Sequence, residues 1–113
     1  MVTINEFMAL DMRIGRIVDV QDHEGARKPM YRLRVDLGPE LGVRNLVAGI
    51  KPWYTKEELA GRLIVMVVNL EPKIIAGAPS EGMLLAADNG SADNLIVSIL
   101  QPDKEMPLGS KIH

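Results

Sequence analysis

Tyr31, Leu33, Val35 and Leu37 alternate without a break with Arg32, Arg34 and Asp36. Successive side chains of a strand point to opposite faces, so this run predicts a half-buried strand whose outer face is basic. Strands are predicted on either side of it. Met12 to Val20 is β-branched and roughly alternating, but its apolar parity slips around Gly15. A glycine inside a strand marks a bulge or a sharp coil, so one long coiled strand is expected there. A polar turn from Asp22 to Pro29 leads into the alternating run, and Gly38-Pro39-Glu40-Leu41-Gly42 separates that run from a third strand over Val43 to Ile50. The three strands form a meander.

Two capping boxes place short helices around this meander. Thr3 with Glu6 predicts a helix over about 4–10, and Thr55 with Glu58, followed by Gly61 at a C-cap position, predicts one after the third strand. The first helix carries Ile4, Phe7, Met8 and Leu10, more than two turns can hide against themselves, so it is expected to pack on a second copy of the chain. Arg62 to Leu70 is apolar without alternation, as a strand buried on both sides or at a barrel closure would be. After a loop with Pro72, Gly77, Pro79 and Gly82, Met83 to Ala87 and Leu95 to Leu100 read as a hairpin about the turn 88–91, and 102–113 as a polar tail ending in Ile112.

At 113 residues, 47% of them hydrophobic, the chain has room for a single domain, 1–113, with a core. With no cysteine, that core must hold by packing alone. The longest apolar run, Leu63 to Val68, is six residues, far short of a membrane span, and Met1 to Asp11 lacks the features of a signal peptide. A cytoplasmic location and no membrane insertion are expected. The element order fits an all-β fold: an OB-fold, a five-stranded Greek-key barrel with a short helix after strand 3 and a short N-terminal helix. An SH3-like barrel is the alternative.

Little in the chain supports catalysis. The imidazoles are His23 and the terminal His113; Asp22-His23-Glu24 diverge on a turn and read as solvated charge. Ser80 lies outside a nucleophile elbow, and the pair Gly77 and Gly82 lacks the Lys and Ser/Thr of a phosphate-binding loop. No enzyme activity, cofactor or metal is expected. What remains is basic: Arg27, Lys28, Arg32, Arg34, Arg44 and Lys51 against Asp36 and Glu40, within a chain of net charge −2. Such a stripe meets phosphates or is a solvated barrel face, and aromatic residues for base stacking are scarce: Phe7, Tyr31, Trp53 and Tyr54.

Asn69 to Ala87, Asn-Leu-Glu-Pro-Lys-Ile-Ile-Ala-Gly-Ala-Pro-Ser-Glu-Gly-Met-Leu-Leu-Ala-Ala, resembles the signature of the tRNA-binding OB domain, the domain at the C-terminus of methionyl-tRNA synthetases and in free-standing structure-specific tRNA-binding proteins. Asp11 to Ile17, His23 to Lys28, Val35 to Gly38, Ala48 to Ile50 and Tyr54 to Leu59 add matches. Ala26 to Tyr31, Gly38 to Gly42 and the ending from Gln101 are similar to the CsaA secretion-chaperone type, a homodimer of the same fold. The resemblance implies tRNA bound by its shape across a homodimer, with an aminoacyl-tRNA synthetase as a partner in trans. It implies hydrogen bonding by Asn69 and Ser80, phosphate contacts from Arg34 and Lys73, and an apolar contact from Met83. Together with Arg32, Arg34, Arg44 and Lys51 of the stripe, these make the candidate nucleic-acid-binding set. Residues 1–10 and 101–113 are expected in the dimer interface. Lys73 is the one cation of its loop, so binding is expected to be weak and confined to low ionic strength. The rival reading is a CsaA-like export chaperone, with Ile74, Ile75 and Ala76 forming an apolar wall for unfolded precursor peptides.

Overall fold

The computed structural model describes residues 1–113. Its frame is a curled five-stranded antiparallel sheet in the order β3-β2-β1-β4-β7, built from β1 (Met12–Asp22), β2 (Tyr31–Asp36), β3 (Val43–Ala48), β4 (Leu63–Val67) and β7 (Met83–Leu84). The expected all-β architecture is present, with helix α1 (Ile4–Met8) at the start and α2 (Lys56–Leu59) after the third strand. Both capping boxes close in both directions: Glu6 and Glu58 each accept the backbone N–H of the cap threonine, and each threonine hydroxyl accepts the glutamate's own N–H. No helix is long and apolar enough to cross a membrane.

β1 is the long coiled strand. Its first half, Met12 to Arg16, pairs with β4, and its second half, Arg16 to Asp22, pairs with β2. The register irregularity falls between Ile17 and Asp19, with Val18 the unpaired residue, rather than at Gly15. Gly15 serves a different need. A Cβ there would stand 2.5 Å from Val35 Cγ1 and 2.8 Å from Leu37 Cδ2, so only a hydrogen lets β1 curl this tightly over β2.

β4 is buried at every residue because its two faces enter different cores. Ile64 and Met66 join Ile17, Leu33, Val35, Leu46 and Leu59 in the main core, while Leu63, Val65 and Val67 join Met12 and Ile14 in a second one. Leu108 and Ile112 of the C-terminal tail cover that second core. The tail lies along β1 as a further partner: Ile14 N–H donates to Ser110 O, and Gly109 and Ile112 N–H donate to Ile14 O and Met12 O. Arg13, only 6% exposed, anchors it, with Nε 2.7 Å from Asp11 Oδ1 and Nη1 3.2 Å from Gly109 O. The Asp11 carboxylate holds the Arg13 guanidinium's pKa above its ordinary value.

Two stretches depart from the sequence expectations. The segment read as a loop contains a hairpin, β5 (Lys73–Ile75) with β6 (Ala78–Ser80), and Ile75 faces Ala78 across a two-residue turn. Both turn residues have positive φ, Ala76 at 48° and Gly77 at 85°, the combination of a type I′ turn. Ala is a poor residue for that backbone, which is why the turn carried no signal. The expected strand 83–87 is split: β7 pairs with β4, while β8 (Ala86–Asp88) pairs with β9 (Val97–Ile99) as a separate hairpin.

β3 and β7 do not pair in a ladder, so the sheet is a half-barrel. The gap is bridged by single bonds. Glu81 N–H donates to Asn45 O at 2.8 Å, the Glu81 carboxylate accepts Asn45 N–H at 2.8 Å, and Ser80 Oγ accepts Val47 N–H at 3.1 Å.

Candidate nucleic-acid interface

The outer face of β2 and its neighbours carries two cross-strand rows. Register places Arg34 between Asp19 of β1 and Asn45 of β3, and Arg32 between Gln21 and Val47. Five of these side chains, Asp19, Gln21, Arg32, Arg34 and Asn45, line a cleft of about 320 Å³ whose opposing wall is Gly77 to Pro79 of the β5–β6 hairpin. Arg32 Nη2 donates to Gln21 Oε1 at 3.2 Å, and Gln21 Nε2 donates to Asp19 Oδ2 at 3.0 Å. Arg34 has no hydrogen-bonding or ionic partner in the chain, and it stands directly across from Asp19 without an ion pair.

The same hairpin borders a second cleft of about 470 Å³, which brings together Lys73, Ser80 and Met83 with Leu70, Ile75 and Val47. Lys73 and Met83 are exposed there. Ser80 is 5% exposed, and its Oγ is engaged by Val47 N–H. It therefore reaches this cleft as part of the sheet's closure.

The basic stripe of the sequence is not one surface. Arg32 and Arg34 face the first cleft. Arg44 pairs in register with the buried Val35, so it has the opposite parity, and its guanidinium donates to Val68 O at the end of β4. Lys51 lies past the end of β3 and is held 2.8 Å from Asp22 Oδ1, with Lys56 3.2 Å from Asp22 Oδ2. The Asp22 carboxyl is held below its ordinary pKa by Lys51 first and Lys56 second, and Lys51 is raised by Asp22 in return. Asn69 lines neither cleft. Its Oδ1 accepts Asp11 N–H at 2.8 Å and its Nδ2 donates to Ala9 O at 2.7 Å, fastening the exit of α1 to the end of β4. Trp53 is half-buried and donates from Nε1 to Leu95 O at 2.8 Å, so its indole braces the loop before β9.

His23 departs from its expected place as solvated charge. Its Nε2 lies 2.8 Å from Ile75 O, so the ring donates a hydrogen bond from the β1–β2 loop into the hairpin. In the same loop, Gly25 runs close to the turn: a Cβ there would stand 3.1 Å from Ala76 O. The loop thereby sets the position of the wall shared by the two clefts. No spacing in the sequence links His23 to a residue 52 positions away.

The family model described as "Putative tRNA binding domain" matches residues 12–111, which spans both clefts and the hairpin between them. The chain belongs to the tRNA-binding domain family. Within that family, it is 52% identical over 111 residues to the methionine–tRNA ligases of Thermococcus onnurineus and Pyrococcus furiosus. It spans 98% of itself but about 14% of the length of those ligases. Among solved structures, it superposes on the CsaA chaperone protein from Picrophilus torridus with a TM-score of 0.89 and 39% identity, covering 100% of both chains. A MetRS-related protein from Pyrococcus horikoshii superposes with a TM-score of 0.86 and 30% identity, covering 100% of this chain and 98% of the other. The half-barrel with its extra hairpin is thus the fold of the tRNA-binding and CsaA domains, and the matched family is a binding module.

Proposed function

We propose that the chain is a structure-specific tRNA-binding module that works as a homodimer and serves an aminoacyl-tRNA synthetase in trans. The observation that carries the reading is the convergence of Arg32, Arg34 and Lys73 on the two sides of one hairpin, inside the segment matched by the tRNA-binding family. Two clefts sharing a wall suit the backbone of a folded RNA, which is recognised by shape and phosphate position more than by sequence. Likeness to methionine–tRNA ligases over 98% of the chain supports the link to a synthetase.

A homodimer accounts for α1. No residue of this helix is buried, and Ile4, Phe7 and Met8 are exposed together with Met1, Val2 and Leu10. An exposed apolar patch of this kind on a small domain fits a second copy of the chain.

Titration of purified chain against bulk tRNA by fluorescence anisotropy at 50 and 200 mM salt, with an unstructured single-stranded RNA as competitor, tests the reading. Saturable binding that weakens steeply with salt and resists the competitor is expected; no binding at 50 mM salt overturns it. Light scattering at micromolar concentration is expected to give the dimer mass.

One observation favours a second reading, a CsaA-like chaperone for unfolded precursor peptides. The second cleft is walled by Leu70, Ile75 and Met83, and Ile74 beside it is 72% exposed. Saturable binding across a panel of unfolded precursor segments would support it, and none across the panel would remove it.

A further inference from the structure

A groove built to follow phosphates alone would carry cations and backbone donors. The first cleft does not fit that description, because Asp19 stands directly across from Arg34 in the β1–β2 register and both line it. The two form no ion pair, and one oxygen of Asp19 receives a hydrogen bond, from Gln21 Nε2. An open carboxylate beside an RNA strand repels phosphate and seeks donors; RNA offers the single donor of each 2′-hydroxyl and, side by side for both carboxylate oxygens, the N–H groups of a base edge. The guanidinium next to it asks for acceptors in a planar pair.

Of the four bases, guanine offers both together: the donors N1–H and N2–H on one edge, and the acceptors O6 and N7 on the adjoining edge. We propose that this cleft receives one unstacked guanine of the bound RNA, with Asp19 accepting from N1–H and N2–H and Arg34 donating to O6 and N7. The inference rests on the tRNA-binding reading and deepens it, from shape alone to shape plus one base. The cleft suits a single base. It holds about 320 Å³, strands β2 and β3 line one side with Leu33 and Leu46 among their residues, and Gly77 to Pro79 line the opposite wall, so apolar groups are present for the plane of the base. That wall is stiff, because Pro79 has a fixed φ and the turn is locked by its hairpin and by His23. Gln21 ties Arg32 to Asp19 and so holds the carboxylate in place before the base arrives.

Fluorescein-labelled RNA hairpins with one common stem and a loop of uridines test this, with a single G, A, C or inosine at the loop centre, alongside bulk tRNA, all at 50 mM salt. The G loop is expected to bind about tenfold tighter than the A or C loops, in line with one well-made bidentate base contact. Inosine, which lacks the N2 amino group, should fall between G and A. Asp19→Asn is expected to erase the preference for G and to lower bulk tRNA affinity by up to about the same tenfold, with the salt slope unchanged since no positive charge is lost. Arg34→Lys keeps the charge and is expected to lose the preference as well. Equal affinity for all four loops, with bulk tRNA still bound, overturns the guanine proposal and leaves tRNA binding standing. Loss of bulk tRNA binding as well, with an extended lysine-rich peptide bound in its place, overturns both and makes Asp19 the seat of a peptide cation.

Discussion

Ser80 Oγ accepts the Val47 amide hydrogen across 3.1 Å, at the seam where β3 has no ladder partner on its outer edge. Both residues are buried, so no water replaces the bond when it is removed. Ser80→Ala is therefore expected to lower unfolding stability by about 1–3 kcal/mol, the cost of an orphaned buried donor. Urea denaturation checks this, and tRNA affinity at temperatures where the variant stays folded is expected to be unchanged. A variant of full stability with weakened RNA binding would instead make Ser80 a direct contact.

Gly15→Ala tests the tight coil of β1. The added methyl would sit 2.5 Å from Val35 Cγ1 and 2.8 Å from Leu37 Cδ2, both fully buried side chains of the main core. Overpacking of this kind costs about 1–3 kcal/mol. A lowered urea midpoint with an unchanged m-value is the expected result.

His23→Ala should act locally. Loss of the bond to Ile75 O frees the hairpin that carries Lys73 and walls both clefts. Amide exchange at Lys73 and Ile75 is expected to speed up while exchange in β1 and β4 stays slow, and tRNA affinity should fall about two- to tenfold, the worth of one hydrogen bond. Uniform acceleration across the chain would make His23 a general stability residue.

Three carboxyl groups are held below their ordinary range in the fold: Asp22 by Lys51 and Lys56, and Glu6 and Glu58 by the backbone N–H groups of Thr3 and Thr55. A carboxyl depressed on folding contributes stability that is full above its unfolded pKa, at about 4, and is lost as pH falls through the lower folded value. Lys51, raised by Asp22, contributes below about pH 10 and loses that contribution at higher pH. Stability is thus expected to be flat between about pH 5 and 9 and to drop below pH 4. Asp22→Asn should make the acid limb shallower in urea midpoints taken from pH 3 to 7; an unaltered limb would remove Asp22 from this account.

The elements legible in the sequence were those set by local physics. Alternation placed β2, two threonine–glutamate pairs placed both helices, and continuous apolarity marked β4 as buried on both faces. Pairing across long separations was not legible. The β5–β6 turn uses Ala76 where Asn would have announced it, and Leu85 breaks one apolar run into strands of two different sheets, its N–H bonded to Val65 O and its carbonyl to Leu100 N–H. At the site, alternation put Arg32 and Arg34 on one exposed face, and the family resemblance pointed to Lys73; the structure sets all three on the two clefts. The roles of Arg44, Asn69 and Ser80 depend on which backbone group the fold brings to them, Val68 O, Asp11 N–H and Val47 N–H.

The salt dependence of tRNA binding by the triple variant Arg32→Ala, Arg34→Ala, Lys73→Ala is the most direct test of the interface. The account predicts a large loss of affinity at 50 mM salt and a log–log salt slope flatter by about 1.5, since Arg32 and Lys73 each remove roughly 0.7–0.9 as lost phosphate contacts while Arg34 is assigned to a base. Binding as tight and as salt-sensitive as that of the unaltered chain would show that the RNA lies elsewhere.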